Sequence, residues 1–230
     1  MTKCYVYSEA TVDLLPAHIV ERKAASIQQA WSRRGHVPAL AKVVTAAALA
    51  KRGLLTSVRN LSLRNLDTAA VAELAVLASR VTDRVELAGV CGDLGPVLAG
   101  LRCDLLALAS MELSSADTRQ LEAAMVAGVR MVRLGEDLSL DMETLAQYDG
   151  RGQCAYITMA GSRAGYREHF LAWADRIGWR KSSYGASLTI FRVSGLRNNI
   201  GFYIGHCWDF FLDGLTVQPL AWALTYLDKF

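Results

Sequence analysis

Several things are missing from this 230-residue chain, and each absence removes a class of function. No window offers about 20 uninterrupted apolar residues, so no ordinary membrane-spanning helix is expected. The opening MTKCYVYSEATVDLL meets charge almost at once and has no apolar core of a secretory signal. The five cysteines (4, 91, 103, 154 and 207) are odd in number and irregularly spaced. That pattern argues against a disulfide framework and for a reducing compartment, which places the chain in the cytoplasm. None of H-E-x-x-H, C-x-x-C or G-x-S-x-G occurs.

Charge of one sign is also not concentrated. Residues 1–53 carry 8 basic and 3 acidic side chains, 54–161 carry 9 and 14, 162–194 carry 6 and 2, and 195–230 carry 2 and 3. The basic residues are scattered and lack interleaved aromatics for base stacking, so nucleic acid is not expected as a partner. What remains is apolar content: the chain is 52% hydrophobic and 20% charged, enough for a sizeable core.

That content is periodic. Five segments share one pattern, apolar or small, two variable, apolar, one variable, apolar: Val58–Leu63, Thr82–Leu87, Cys103–Leu108, Val129–Leu134 and Cys154–Met159. Their fourth positions (Leu61, Val85, Leu106, Val132, Ile157) lie 24, 21, 26 and 25 residues apart. Period-2 alternation predicts short strands with one buried face. A sixth unit is expected at Leu188-Thr-Ile190.

Between the strands the period becomes helical. Asp67 caps a helix with Val71, Leu74, Leu77 and Ala78 on one face. Pro96 opens a turn or two of helix, and Ser114 or Ser115 caps a run with Leu121, Ala124 and Met125 that stops at Gly128. Met142, Leu145 and Tyr148 form a fourth helix ending at Gly150. Tyr166, Phe170, Trp173 and Ile177 make the fifth, ended by Gly178. Before the first strand, Val20, Ala24, Ile27 and Trp31 make one amphipathic stripe, and Leu40, Val43, Ala47 and Ala50 another. A doubly wound βαβ fold needs roughly 30 residues per unit. A shorter unit returns the chain by one step and stacks each strand beside the last, so neighbours complete the core.

These units resemble leucine-rich repeats, whose consensus is L-x-x-L-x-L-x-x-N/C-x-L followed by a helix. The best stretch is CDLLALASMELSSADTRQLEAAMVAGVRMVRL, residues 103–134. Its strand-helix style is similar to the ribonuclease-inhibitor-like repeats of NLR-type innate immune receptors, of invertebrate kind, over residues 54–193. The resemblance implies an α/β fold: a leucine-rich-repeat-like solenoid of about five strand-helix units. An α-helical N-terminal cap (1–53) precedes it and an aromatic-rich C-terminal cap or tail (194–230) follows. The position that is Asn or Cys in the family reads Leu66, Val90, Met111, Asp137 and Ser162 here. The turns must therefore be satisfied otherwise, with Asn65, Asp137 and Ser162 as candidates. No G-x-x-x-x-G-K-[ST] occurs, so on this resemblance the chain is a sensor portion without the NTPase.

Chemistry-bearing residues are few. The histidines 18, 36 and 169 read as surface residues, and His206 with Cys207 are adjacent, so they cannot easily both turn toward one metal or substrate. Cys103 and Cys154 take a repeat's leading apolar position and read as small hydrophobes. Asn60-Leu-Ser62 is a glycosylation sequon without a secretory route. Gly161–Gly165 is too short for a phosphate loop, and Arg180-Lys-Ser-Ser183 reads as an exposed loop open to a basic-directed kinase. The expectation is therefore no catalytic residue, no metal and no cofactor.

Binding is read from the outward strand positions, which form columns Asn60/Arg84/Leu105/Met131/Tyr156, Ser62/Glu86/Ala107/Arg133/Thr158 and Arg64/Ala88/Ala109/Gly135/Ala160. On a concave wall, Arg84, Glu86, Met131, Arg133, Tyr156 and Thr158 are expected to contact a protein partner, with no membrane involved. An adaptor that presents substrates to a ubiquitin ligase would use the same wall and dock its ligase through residues 1–53. A small α/β enzyme, the third class, predicts a pocket at the carboxyl ends of the strands with perturbed titratable groups.

Overall fold

The computed structural model describes residues 9–33, 36, 38, 40–66, 74–160, 165–184 and 187–192. Each alternating segment becomes a strand: β1 (Val58–Arg64), β2 (Val81–Ala88), β3 (Leu105–Ala109), β4 (Met131–Leu134) and β5 (Tyr156–Met159). These five are parallel and lie side by side in chain order. Two more strands, β6 (Arg180–Tyr184) and β7 (Ser187–Phe191), complete a mixed seven-stranded sheet of order β1-β2-β3-β4-β5-β7-β6. The described elements all fall within one compact unit, residues 1–191.

The expected sixth unit is corrected by this topology. Residues 187–191 do form a strand, but it runs antiparallel to β5 with β6 outside it. Ile190 lies opposite Ile157 and Leu188 opposite Met159, while the Thr158 and Thr189 hydroxyls meet at 3.1 Å. Such matched cross-strand pairs favour β7 at the inner position. The sequence RKSSY has no apolar stripe and takes the edge, with Arg180 and Lys181 exposed. The Arg180–Ser183 segment is therefore an edge strand, not a loop.

One face of the sheet faces the core. Leu61 and Leu63, Val85 and Leu87, Leu106 and Leu108, Val132 and Leu134, and Ile157 and Met159 are all buried in a single cluster. The intervening helices supply its other side. Residues 74–78 are helical, followed in turn by α4 (Gly95–Ala99), α5 (Ser115–Ala127), α6 (Met142–Leu145) and α7 (Tyr166–Arg176). Three of the predicted helix signals hold. Pro96 lies in the first turn of α4, Ser114 is the N-cap of α5 and Gly178 follows α7 at φ +69°. The fourth helix is shorter than its pattern: Tyr148 lies beyond α6, fully buried, with its hydroxyl donating to the Cys154 carbonyl at 3.2 Å. The proposed Asp67 cap lies outside the described residues.

Phe170 and Trp173 of α7 form an aromatic cluster with Tyr148 and Trp179. Their rings meet edge to face at centroid distances of 5.6 to 6.3 Å. Trp173 Nε1 donates to the Tyr148 carbonyl at 2.9 Å, so the last helix is tied to the unit before it.

On the amino-terminal side stand α1 (Glu9–Leu14), α2 (Ala17–Ala30) and α3 (Leu40–Lys51). The α2 stripe is as read: Val20, Ala24 and Ile27 are buried, and Trp31 just beyond them is 1% exposed. Helix α3 differs. Val43 and all of residues 45–50 are buried, so it is enclosed on nearly every side. Its alanine-rich composition permits this, because small side chains let neighbours approach all round. The Asn60 N–H donates to the Trp31 carbonyl at 2.9 Å and Asn60 Nδ2 to the Ser32 carbonyl at 3.0 Å. These bonds occupy the outer edge of β1 and the sequon asparagine with it.

The turns after the strands are satisfied without an asparagine ladder. Backbone bonds link each unit to the next: Asn65 N–H to Ala88 O, Gly89 N–H to Ala109 O, Ser110 N–H to Glu136 O and Cys91 N–H to Leu66 O. Leu113 and Ser139 N–H groups pair likewise with the Ser139 and Met111 carbonyls. The ladder positions Val90 and Met111 are buried apolar residues. Of the three candidates, Asn65 and Asp137 instead take the left-handed backbone (φ +53° and +52°) that turns the chain. Ser162 lies outside the described residues. No helix among the described residues is long and apolar enough to cross a membrane.

Candidate docking face

The strand registers bring the outward columns together as expected. Asn60 pairs with Arg84, Arg84 with Leu105, Leu105 with Met131 and Met131 with Tyr156. The next row runs Ser62, Glu86, Ala107, Arg133, Thr158. Both rows continue across the hairpin, to Phe191 and Thr189 respectively. Alternation places all of these side chains opposite the core residues of the same strands.

Their exposure is uneven. Arg84, Glu86, Arg133 and Tyr156 are half-buried. Met131 is 2% exposed and Thr158 9%, and Leu105 and Phe191 are also buried although they stand outside the main core. The middle of the first row, Leu105 and Met131, is thus buried. Of the six residues expected to contact a partner, Met131 and Thr158 are therefore buried and the other four half-buried. An outward strand position fixes direction but says nothing about what else packs there, which is why the sequence could not foresee this.

At the β1–β2 end the face is polar and ordered. Arg84 and Glu86 form an ion pair, and Ser62 Oγ donates to the second Glu86 oxygen at 2.9 Å. The Arg84 Nε–H is buried and has no hydrogen-bond partner among the described residues.

A cavity of about 240 Å³ lies at the carboxyl ends of β4 and β5, where an α/β enzyme would hold its site. Leu134, Leu138, Leu140, Met142 and Met159 form much of its wall, with Glu136 and Asp137 exposed on the turn. The Tyr166 hydroxyl is held by the Leu140 backbone, donating to its carbonyl at 3.1 Å. The histidines do not gather there: His18 and His169 are exposed, and His36 is half-buried with Nε2 lacking a partner among the described residues. His206 and Cys207 lie outside the described residues. Among the described residues no group of three His, Cys, Asp or Glu converges to hold a metal.

Among the described residues, three titrating groups are shifted by the fold. Burial, then the nearby Asp104 charge, pushes the Cys103 thiol up to about 12. Cys103 and Cys154 are both enclosed, each with its sulfur against a carbonyl two residues on. Burial also raises the Glu122 carboxyl, with Asp149 adding to it. The Asp141 carboxyl is lowered to about 2, chiefly by the Thr144 hydroxyl and backbone N–H, then by Ser115. Asp141 is the N-cap of α6, and Ser115 at the start of α5 donates to it across 26 residues, one unit length.

Asp117 makes the matching link in the preceding unit, which sequence reading missed. It is 4% exposed and accepts from the Leu94 N–H at 2.9 Å while completing a capping box with Ser114. The signal was present as S-x-x-D at 114–117. Comparison with known proteins finds no matching family model, no similar curated protein and no similar solved structure.

Proposed function

We propose that this chain is a non-catalytic protein-binding module, a leucine-rich-repeat-like solenoid of about five strand-helix units with a helical amino-terminal cap. Its role is that of the sensing part of an NLR-like receptor without the NTPase, acting in the cytoplasm. One observation carries the reading: five parallel strands in chain order bring Arg84, Glu86, Arg133 and Tyr156 onto the face away from the core. Sequential parallel neighbours joined by links one unit apart are the arrangement of a stacked repeat. An Arg and Tyr surface framed by small residues is chemistry suited to protein recognition.

The test is capture of binding proteins by the wild-type chain against Tyr156→Ala and Arg133→Ala, with folding followed by circular dichroism. Both variants are expected to retain the fold and lose about tenfold or more in affinity, as hot-spot truncations do. Unchanged capture by both variants refutes the reading. The captured set also assigns the context, since ligase subunits among the stable partners would mark a substrate adaptor instead.

A further inference from the structure

The cavity at the carboxyl ends of β4 and β5 is one-sided in its chemistry. Leu138, Leu140, Met142 and Met159 give it an apolar wall. The charged groups in the lining are the Glu136 and Asp137 carboxylates, with no basic side chain beside them among the described residues. Neither carboxylate takes part in a hydrogen bond or ion pair among the described residues. The Tyr166 hydroxyl is already committed, donating to the Leu140 carbonyl at 3.1 Å and accepting from the Leu140 N–H at 3.4 Å. Those bonds hold its side chain in the wall of the cavity.

We infer that this cavity binds a small organic ammonium, with a hydrocarbon or aromatic body against the apolar wall and the charged nitrogen against Glu136 and Asp137. The site shares none of the six residues expected to contact a protein partner and does not rest on the docking-face reading. Size comes first. About 240 Å³ is below the roughly 300–1,000 Å³ of pockets that enclose drug-sized ligands, so the occupant is about as large as one amino-acid side chain. A nucleotide is too large, and any phosphate or carboxylate would meet two negative charges without a cation to offset them. A neutral hydrocarbon would fill the wall and leave both acids unused. An ammonium gains charge-assisted hydrogen bonds from the carboxylates, and attraction to the tyrosine ring where it comes within about 6 Å. Methionine suits such a wall, because its flexible, polarizable thioether adapts to bodies of different shape.

The test is titration of the full chain, its methionine methyl groups isotope-labelled and followed by NMR. The probes are phenethylamine, hydrocinnamate (an anion with the same aromatic body) and Nα-acetyl-lysine methylamide. Phenethylamine is expected to shift the Met142 and Met159 methyl signals saturably and to bind at least about tenfold more tightly than hydrocinnamate. Combining Glu136→Gln with Asp137→Asn should weaken phenethylamine about tenfold. Both acids are exposed, and asparagine tolerates the left-handed backbone at position 137 (φ +52°), so the fold is kept. Glu21→Gln, exposed on α2, should change nothing and serves as the charge control. Either amine binding in this charge-dependent way supports the site: tighter binding of the lysine derivative assigns the ammonium to a protein side chain, and weaker binding to a free amine. Equal binding of amine and anion, or indifference to the double variant, overturns the inference. So does the absence of any shift at Met142 and Met159.

Discussion

Asp117→Ala is the perturbation that asks most directly whether neighbouring units stabilise one another. The wild-type carboxylate accepts three hydrogen bonds: Leu94 N–H at 2.9 Å, Ser114 N–H at 3.2 Å and Ser114 Oγ–H at 2.6 Å. Ser114→Ala removes only the cap on α5 and costs about 1 kcal/mol. Asp117→Ala loses its half of that capping box and also leaves the buried Leu94 N–H without an acceptor, which alone costs about 1–3 kcal/mol. The expected total is about 3 kcal/mol, clearly above the Ser114 variant. At a urea m-value of about 2 kcal/mol/M this moves the midpoint by about 1.5 M, against about 0.5 M for Ser114→Ala. Native-state hydrogen exchange adds the location, since faster exchange is expected in α4 and α5 before β1. If the two variants are equally destabilised, Asp117 is only a helix cap and the inter-unit bond contributes nothing. That result would refute the reasoning.

Four further outcomes follow from the geometry. Gly89→Ala combines a left-handed backbone (φ +62°) with a Cβ placed 2.5 Å from Asn65 Oδ1. It should lower stability by about 1–3 kcal/mol, and adding Asn65→Gly, which keeps the left-handed backbone at position 65 unstrained, should recover the steric part but not the backbone part, as thermal unfolding can show. The Cys103 thiol, pushed up from its ordinary 9.0 to about 12, favours the folded state fully below pH 9.0. That contribution is lost as pH rises toward 12, so Cys103→Ala should flatten the alkaline fall in stability. In native protein near pH 8, exposed Cys91 should react with a disulfide reagent while Cys103 does not. The Asp141 carboxyl, lowered from 3.8 to about 2, stabilises the fold above pH 3.8 and stops doing so as pH falls through 2. A carboxyl-carbon NMR titration should place its midpoint near 2, and Ser115→Ala or Thr144→Ala should raise it.

The repeat was readable because its two periods alternate cleanly: Leu61, Val85, Leu106, Val132 and Ile157 mark the core side of every strand. The 21- to 26-residue unit is too short for a wider crossover, so sequential parallel pairing followed, and the register of the outward rows with it. What failed to show locally was set by neighbours. RKSSY becomes β6 only because β7 offers it a backbone to pair with, a tertiary effect no propensity in those residues reveals. Helix α3 carries an apolar stripe, but its alanines on the other side read as neutral until the surroundings close over them. Likewise alternation sets the direction of Met131 but not its burial, which depends on its neighbours.

The central claim is that partners dock on the strand face away from the core. A photo-crosslinking amino acid placed at Tyr156, and separately at Val126, which is 48% exposed on α5, tests it in the native cell. Docking on the face away from the core gives partner adducts from position 156 and none from position 126. Adducts from position 126 in equal or greater yield would contradict it.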